Sequence, residues 1–314
     1  MKRLLERPLF PPVAPARPAV LRVMLGAYCL WYLGSRYRLF LSIARSQPTL
    51  FRPVGVVSML PRPVPVRQFR GVLLATLLAN TAFLLGWKHR VTGPLFSGLL
   101  LWVLSYRNSW SMIYHSDNAL VLHALILGLA PAADVLSLDA LGRKREAPAN
   151  ASRPDGGLAP LPAESWRYGW PIALLNTATA LTYFVAGVSK VVGPSGWGWA
   201  SGEGMRGQVA VDALRKELLG DGASPLAFAL HDKLVLYRIL GIGSLAVELG
   251  APLALLDRRL GRVWALAAFG MHWGILFVMD IKFRYQLSGL IFAPFFDVER
   301  AAGWLGRATA RGIR

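Results

Sequence analysis

The chain has 314 residues, of which 54% are hydrophobic and 17% charged, and its 35 Lys and Arg against 17 Asp and Glu give a formal net charge of +18. Its mean hydropathy is +0.41. This hydrophobicity excludes a disordered chain, and it argues against a nucleic-acid partner despite the positive charge. The combination is typical of a protein whose main partner is the lipid bilayer, with Lys and Arg in the loops fixing the orientation of the spans.

Residues 1–18 form a basic, Pro-rich arm without the features of a cleavable signal peptide. Behind it, apolar runs predict helices that cross or enter the membrane; they lie at 19–34, 71–87, 94–106, 118–133, 170–192, 234–256, 263–279 and 284–296. Since a span needs roughly 20 apolar residues, we predict an all-α fold, a polytopic membrane bundle of about 7–9 transmembrane or re-entrant helices. The predicted membrane domain is 19–297, and a basic tail follows at 298–314.

Three polar connectors separate the runs, at 35–70, 141–168 and 193–233. The first carries seven arginines and is expected to lie partly on the membrane surface, while the second is rich in Pro, Ala and Gly and is typical of a flexible loop. The third, rich in Gly and Trp, is the least like a linker. Lys and Arg are slightly more numerous on the N-terminal side of the alternating spans, so we predict a cytoplasmic N-terminus.

His115 is the first candidate for chemistry, because it stands just before the 118–133 run. A neutral imidazole at the mouth of a span can shuttle protons. The alternative is a hydrogen-bonded histidine of the membrane interface. His123 lies about two helical turns further on, and Asp117 is close enough in sequence to orient either ring.

Lys190 ends the run Tyr183-Phe-Val-Ala-Gly-Val-Ser-Lys, a cation in a segment that should lie in hydrocarbon. An ionisable side chain in hydrocarbon costs free energy unless it is paired or faces a cavity, so Lys190 is a candidate functional residue. A lysine in an apolar site can also supply a neutral amine as a base. The alternative is that Lys190 extends to the headgroups. Ala186 and Gly187 would permit a neighbouring helix to pack closely and favour the inward-facing interpretation.

Glu248 and His272 each stand inside a predicted span, with Pro252 marking a possible kink behind Glu248. Pairing with each other or with Lys190 is the most economical explanation, and such pairing can be purely structural. Cys29 is the single cysteine, and no spacing of residues suits a metal, so we predict no metal site.

The run from Tyr183 to Lys190, followed by Gly196-Trp197, resembles the lysine-bearing motif of the vitamin K-dependent gamma-carboxylase family and its bacterial relatives, the HTTM (horizontally transferred transmembrane) domain proteins. Trp110 followed by His115 is similar to a short Trp-to-His motif of that family, with a spacing longer by two. Further similar segments are 136–140 and the region of His272, Phe277 and Pro294. The likeness covers roughly 70–297, and Ser189 stands where the family has the first lysine of a doublet.

This resemblance implies a membrane enzyme, a lyase of the bacterial cytoplasmic membrane. Its cofactor would be a reduced naphthoquinone such as vitamin K or a menaquinone. O2 converts that cofactor into a strong base, and CO2 adds to a glutamate side chain of a secreted or membrane peptide. Carried over to this chain, Lys190 would be the base and His115 its partner in proton transfer. The predicted substrate-binding residues are His272, Glu248, Trp197 and Tyr183.

Two other interpretations stay open. Some bacterial relatives resemble a non-catalytic membrane factor needed for maturation or export of a secreted peptide, which predicts a lipid- or peptide-binding role without an enzymatic step. A transporter is the third interpretation, which the lack of a clear internal repeat disfavours.

Overall fold

The computed structural model describes residues 11–146 and 163–300, except for the side chains of 144–146. These residues form two compact units, of which the first holds the described residues up to Leu175 together with 297–300, and the second is Asn176–Phe296. Helices dominate both units, and the β-structure in the described ranges is an isolated bridge between Val13 and Ser165. The all-α prediction is therefore confirmed. Parts of the predicted N-terminal arm (1–10), the second connector (147–162) and the C-terminal tail (301–314) lie outside the described residues.

The first unit is a set of helices with an aromatic core. Its helices are α1 Ala16–Ser35, α2 Tyr37–Ile43, α3 Val66–Leu85, α4 His89–Asn108, α5 His115–Leu129 and α6 Leu138–Glu146, with 3-10 turns at Pro48–Leu50 and Gly55–Val57. Helix α4 packs against both α3 and α5, and α1 packs against α3. Phe83 and Phe96 are fully buried with ring centroids 5.0 Å apart, and Phe69 stacks on Tyr106 at 4.7 Å.

Helix α7 (Trp166–Val192) belongs to both units, and its residues from Asn176 onward begin the second unit. The remaining helices are α8 Gly198–Ser201, α9 Glu203–Leu219, α10 Pro225–Ala229, α11 Leu234–Leu249, α12 Arg258–Met279 and α13 Arg284–Leu287, with 3-10 segments at Ala251–Leu255 and Leu290–Phe295. Helices α8 to α10 lie in the third predicted connector, 193–233. That connector is thus a folded part of the unit rather than a linker, as its composition indicated.

Three of the described helices are long and apolar enough to cross a membrane: α3, α7 and α12. Helices α7 and α12 contain the predicted runs 170–192 and 263–279, and α3 contains the run 71–87 except for Gly86 and Trp87. Only 22 to 33% of the most apolar window of each helix is buried inside the protein. The outward residues of these windows are therefore available to lipid. This supports an integral membrane protein, while the predicted count of 7–9 spans stays a prediction.

Two predicted spans are not single helices. In the 234–256 run, α11 ends at Leu249 and a 3-10 segment follows, because Pro252 lacks an N–H group and its ring would clash with a preceding carbonyl in a continued α-helix. In the 284–296 run, Gly289 has φ +75° and separates the four-residue α13 from a 3-10 segment. The prediction of one helix over 234–256 was wrong, although Pro252 marks the break as expected, whereas the short 284–296 run was predicted as a re-entrant or steeply packed segment, and that stays a prediction.

Candidate functional site

One face of α7 carries the polar candidates of the second unit. Tyr183, Gly187 and Lys190 are four and three residues apart, which places them on the same side of the helix. On α11, Tyr237, Gly241, Ser244 and Glu248 follow the same spacing, and all of them are buried. The two helices thus present matching stripes, each with a charged residue near its C-terminal end.

Gly187 lets the two helices approach closely. A Cβ atom at this position would lie 2.8 Å from Cβ of Glu248 and 3.1 Å from the backbone nitrogen of Leu249, which is closer than real side chains allow. The absence of a side chain here brings the backbone of α7 against the C-terminal turn of α11. The expected role of Gly187 in helix packing is confirmed, and the helix that it meets is the one bearing Glu248.

Lys190 and Glu248 form an ion pair in this contact. Nζ of Lys190 donates to Oε1 of Glu248 at 2.5 Å, and the side chains are 24% and 8% exposed. The predicted pairing of these two residues is present. Because the loss of one partner leaves an uncompensated charge in an apolar site, the pair matters more to the structure than a surface ion pair does. Oε2 of Glu248 is buried and accepts no hydrogen bond from the described residues.

Trp199 covers the lysine. Nζ of Lys190 lies 5.4 Å from the centroid of the Trp199 ring, within the range of a cation–π contact. The backbone of Trp199 rests on α11, where a Cβ atom at Gly241 would be 2.0 Å from the Trp199 carbonyl oxygen. Trp197, the predicted binding residue, is 66% exposed. Its role stays a prediction, whereas its neighbour Trp199 contacts the ion pair.

Tyr183 and His272 form a second polar pair. The Tyr183 hydroxyl and Nε2 of His272 share a hydrogen bond of 2.6 Å between α7 and α12. Trp264 packs edge-on against the Tyr183 ring, and Phe283 packs edge-on against the His272 ring. Nδ1 of His272 is buried and has no hydrogen-bond partner in the described part of the chain. Two residues selected separately from the sequence are thus in direct contact.

A cavity of about 600 Å³ opens beside the ion pair. Lys190, Glu248 and Trp199 line it together with residues of α9, α11 and α12. Most other lining residues are aliphatic or glycine; the additional polar ones are Gln208, Tyr237 and Ser244. This volume is in the range of small-molecule and cofactor sites, and an apolar wall with a few polar groups is their usual composition.

Comparison with protein-family models, with curated proteins and with solved structures finds no match for this chain. The resemblance to the gamma-carboxylase family therefore stays a prediction based on the motifs around Lys190 and His115.

His115 belongs to the first unit, where it begins α5 and its side chain is exposed. His123, expected on a similar face, is only 2% exposed. Asp117 was expected to orient one of these rings, but its carboxylate accepts hydrogen bonds from Tyr32 at 2.9 Å and Arg107 at 2.5 Å instead. The proposed partnership of His115 with Lys190 stays a prediction.

Metal binding has no structural support in the described ranges, where no group of three or more His, Cys, Asp or Glu residues is placed to hold an ion. Two lining residues were missed from the sequence. Trp199 and Trp197 are both tryptophans of the same Gly- and Trp-rich segment, so no local feature of the sequence indicates which of them contacts the ion pair. Tyr237 lies at the start of an apolar run, and only its place on the stripe of Glu248, eleven residues earlier, could have indicated it.

Proposed function

We propose that this chain is an integral membrane enzyme of the bacterial cytoplasmic membrane, with a cytoplasmic N-terminus, that binds a reduced naphthoquinone in the cavity of its second unit. The ion pair of Lys190 and Glu248 would take up the proton of a quinol hydroxyl. The observation that carries this proposal is the buried oxygen Oε2 of Glu248, which has no hydrogen-bond donor among the described residues and belongs to a side chain that lines a ligand-sized apolar cavity.

The residues present fit such a ligand. An unpaired carboxylate oxygen in an apolar site favours a ligand that brings a hydroxyl or N–H donor, because a buried acceptor without a partner costs free energy. The aliphatic lining suits a fused aromatic ring, and Trp199 offers an aromatic face. A site that excludes water also protects a reactive base from solvent.

The charges suggest how the pair would work. An ammonium group beside a carboxylate leaves the empty site neutral overall. When Oε2 of Glu248 takes the hydroxyl proton, the carboxylic acid is neutral, and the ammonium group of Lys190 then neutralises the oxyanion left on the ligand. No net charge is created in the apolar cavity, and this keeps the cost of the step low. Lys190 and Glu248 thus act as one catalytic unit.

The bound reduced naphthoquinone would supply the electrons for reduction of O2. By resemblance, CO2 and a peptide glutamate would be the other substrates, and His115 would assist proton transfer. Of this chain's own residues, the pair of Tyr183 and His272 would position α7 against α12, so that Lys190 keeps its place beside Glu248.

The test is oxidation of a reduced naphthoquinone by purified protein in detergent, measured as O2 consumption and as epoxide formed. Lys190→Ala and Glu248→Gln should each reduce the rate by at least 100-fold, in line with the loss of a positioned acid or base. Lys233→Ala, which removes an exposed lysine at the start of α11, is the matched control and should retain the wild-type rate. Equal rates in wild type and Lys190→Ala would refute the proposed chemistry.

The non-catalytic alternative has one observation in its favour. Helix α9 carries an apolar stripe of Val211, Leu214 and Leu218, which are 63%, 57% and 87% exposed. Such a stripe can bind a partner peptide or the membrane interface. If this chain is a maturation factor, Leu214→Glu with Leu218→Glu should abolish maturation of the secreted partner, whereas Lys190→Ala should leave maturation unchanged.

A further inference from the structure

The cavity of the second unit has a second buried polar group, far from the ion pair. Tyr237 lines the cavity, is 1% exposed, and its hydroxyl has no hydrogen-bond partner among the described residues. Tyr237 packs against Val209 and Ala213 of α9 and Ala227 of α10, and the charge of Arg206 acts on its hydroxyl without a hydrogen bond between them. A buried hydroxyl without a hydrogen-bond partner costs free energy, and a ligand that forms this hydrogen bond removes that cost.

The distance between the two polar ends follows from the helix. Tyr237 and Glu248 are eleven residues apart on the same stripe of α11, which is about 16 Å along the helix axis. Their side chains lean toward the same helix end, so the offset is preserved between the side chains. A quinol ring is much shorter than this and cannot reach both groups.

The wall between the two ends is mainly apolar, and Ser244, which lies between them on the α11 stripe, already donates its hydroxyl to the Gly241 carbonyl. The apolar part is formed by Leu240, Gly243, Val247, Met271, Gly274 and Ile275. An extended peptide in this position would bring backbone N–H and C=O groups that these residues cannot satisfy. An aliphatic chain needs no such partners and gains from burial against them.

We propose that the cavity takes an elongated amphiphile with a hydroxylated aromatic head at Glu248, an aliphatic middle, and a second hydrogen-bonding group that meets the Tyr237 hydroxyl. This inference rests on the proposed function, since the head of the ligand is the quinol that donates to Glu248. It adds that the natural ligand carries an oxygen-containing group at the far end of its chain, and that Tyr237 selects for it.

Two synthetic ligands test this proposal. Both are 1-naphthols with a linear alkyl chain that reaches about 16 Å from the phenolic oxygen, and the chain ends in a hydroxyl group in one and in a methyl group in the other. Their dissociation constants are measured on the full chain in detergent. The ratio of the two constants is compared between variants, because ligand partition into the detergent then cancels.

The preference for the hydroxyl-ended over the methyl-ended naphthol should be about 2- to 10-fold larger in wild type than in Tyr237→Phe, the value of one net hydrogen bond. The melting temperature of Tyr237→Phe should be no lower than that of wild type, because the lost hydroxyl is buried without a hydrogen-bond partner in the free protein. A ratio that is the same in Tyr237→Phe as in wild type overturns the inference.

Glu248→Gln separates this inference from the proposed function. It should weaken both naphthols by the same factor and leave their ratio unchanged, because the head contacts Glu248 in both ligands. If Glu248→Gln binds both naphthols as tightly as wild type while Tyr237→Phe still reduces the preference, then the head has been placed wrongly and the quinol proposal fails. The selective contact at Tyr237 is then retained with a different head group.

Discussion

Gly187 determines how closely α7 can approach α11, and we expect Gly187→Ala to destabilise the second unit. The added Cβ would meet Cβ of Glu248 at 2.8 Å, and the neighbouring backbone of Leu249 leaves little room to shift. Overpacking of this kind costs about 1–3 kcal/mol. Thermal unfolding in detergent should show a lower melting temperature, and quinol oxidation should fall because Lys190 is displaced from Glu248.

The control is Gly98→Ala in α4. A Cβ atom at Gly98 meets nothing within 4 Å, so this variant changes only helix propensity. It should stabilise α4 by up to about 1 kcal/mol. If both glycine variants unfold at or above the wild-type temperature, the close approach of the two helices at Gly187 is not required.

The bond between Tyr183 and His272 gives a second prediction for a single residue. Tyr183→Phe keeps the ring that packs against Trp264 and removes only the hydroxyl, so that neither nitrogen of His272 has a partner in the described part of the chain. A buried group left without its partner costs about 1–3 kcal/mol. The free energy of unfolding, measured in detergent, should fall by this amount.

A change in quinol affinity would decide the role of this pair. If Tyr183→Phe lowers stability and leaves the dissociation constant for the quinol unchanged, then Tyr183 and His272 position the helices. If affinity falls more than stability explains, the predicted substrate-binding role of both residues is supported.

Individual site residues could be predicted from the sequence where an ionisable side chain interrupts an apolar run. Lys190, Glu248 and His272 are ionisable side chains within apolar runs, and their cost in hydrocarbon makes them conspicuous. Tyr237 and Trp199 do not break any pattern, because aromatic residues are common in apolar segments. Their importance arises from the three-dimensional positions of α8 and α11, which no local property of the sequence specifies.

The start of α12 gives a prediction at the scale of the element. Asp257 is the N-cap of this helix, and its carboxylate accepts a hydrogen bond from the backbone N–H of Arg259 at 2.8 Å. This bond from Arg259 is the main cause that lowers the pKa of Asp257. Its contribution to stability is therefore complete above the unfolded-state pKa of about 3.9 and is lost as the pH falls through the lower folded-state value.

Asp257→Asn is the matched variant, because an amide oxygen can cap a helix without carrying a charge. Wild type should be more stable than Asp257→Asn near neutral pH, and the difference should shrink as the pH falls below about 4. The measurement is the melting temperature in detergent across this pH range. A difference that stays constant with pH would show that the charge of Asp257 does not stabilise α12.

The presence of the helices could be predicted from the apolar runs, but the residues at which the helices end could not. The runs at 170–192 and 263–279 lie inside single helices, α7 and α12, because each has apolar residues on every side, and Pro171, five residues into α7, does not end that helix. In the 234–256 run, hydrophobicity continues past Leu249 although the helix does not. A Pro residue overrides hydrophobicity there, since it removes a backbone donor that the helix needs.

At the scale of the whole molecule, an apolar run does not by itself identify a membrane span. Helices α1 and α4 are each 20 residues long, but they do not reach the composition of a membrane span. Helix α1 includes Arg22, which is fully buried and donates to the backbone carbonyl of Leu136. Nη2 of Arg22 thus bonds to protein rather than to headgroups, while Nε and Nη1 are buried without a hydrogen-bond partner among the described residues. An apolar run can therefore belong to the protein interior as well as to lipid.

Topology gives the last prediction. If the N-terminus is cytoplasmic and α1 crosses the membrane, the first connector (35–70) lies outside the cell and the short turn between α3 and α4 lies inside. Cys29, the natural cysteine, is fully buried, so Cys29→Ala gives a background without thiols at little cost in packing. Met59 and Trp87 are 82% and 50% exposed and accept single cysteines, one on each proposed side.

In intact cells, a membrane-impermeant maleimide should label Met59→Cys and should label Trp87→Cys only after permeabilisation. The opposite pattern would place the N-terminus outside and reverse every connector. Labelling of both positions from the same side would mean that α3, one of the three helices suited to cross the membrane, does not cross. The labelling pattern decides the orientation independently of the count of Lys and Arg on each side.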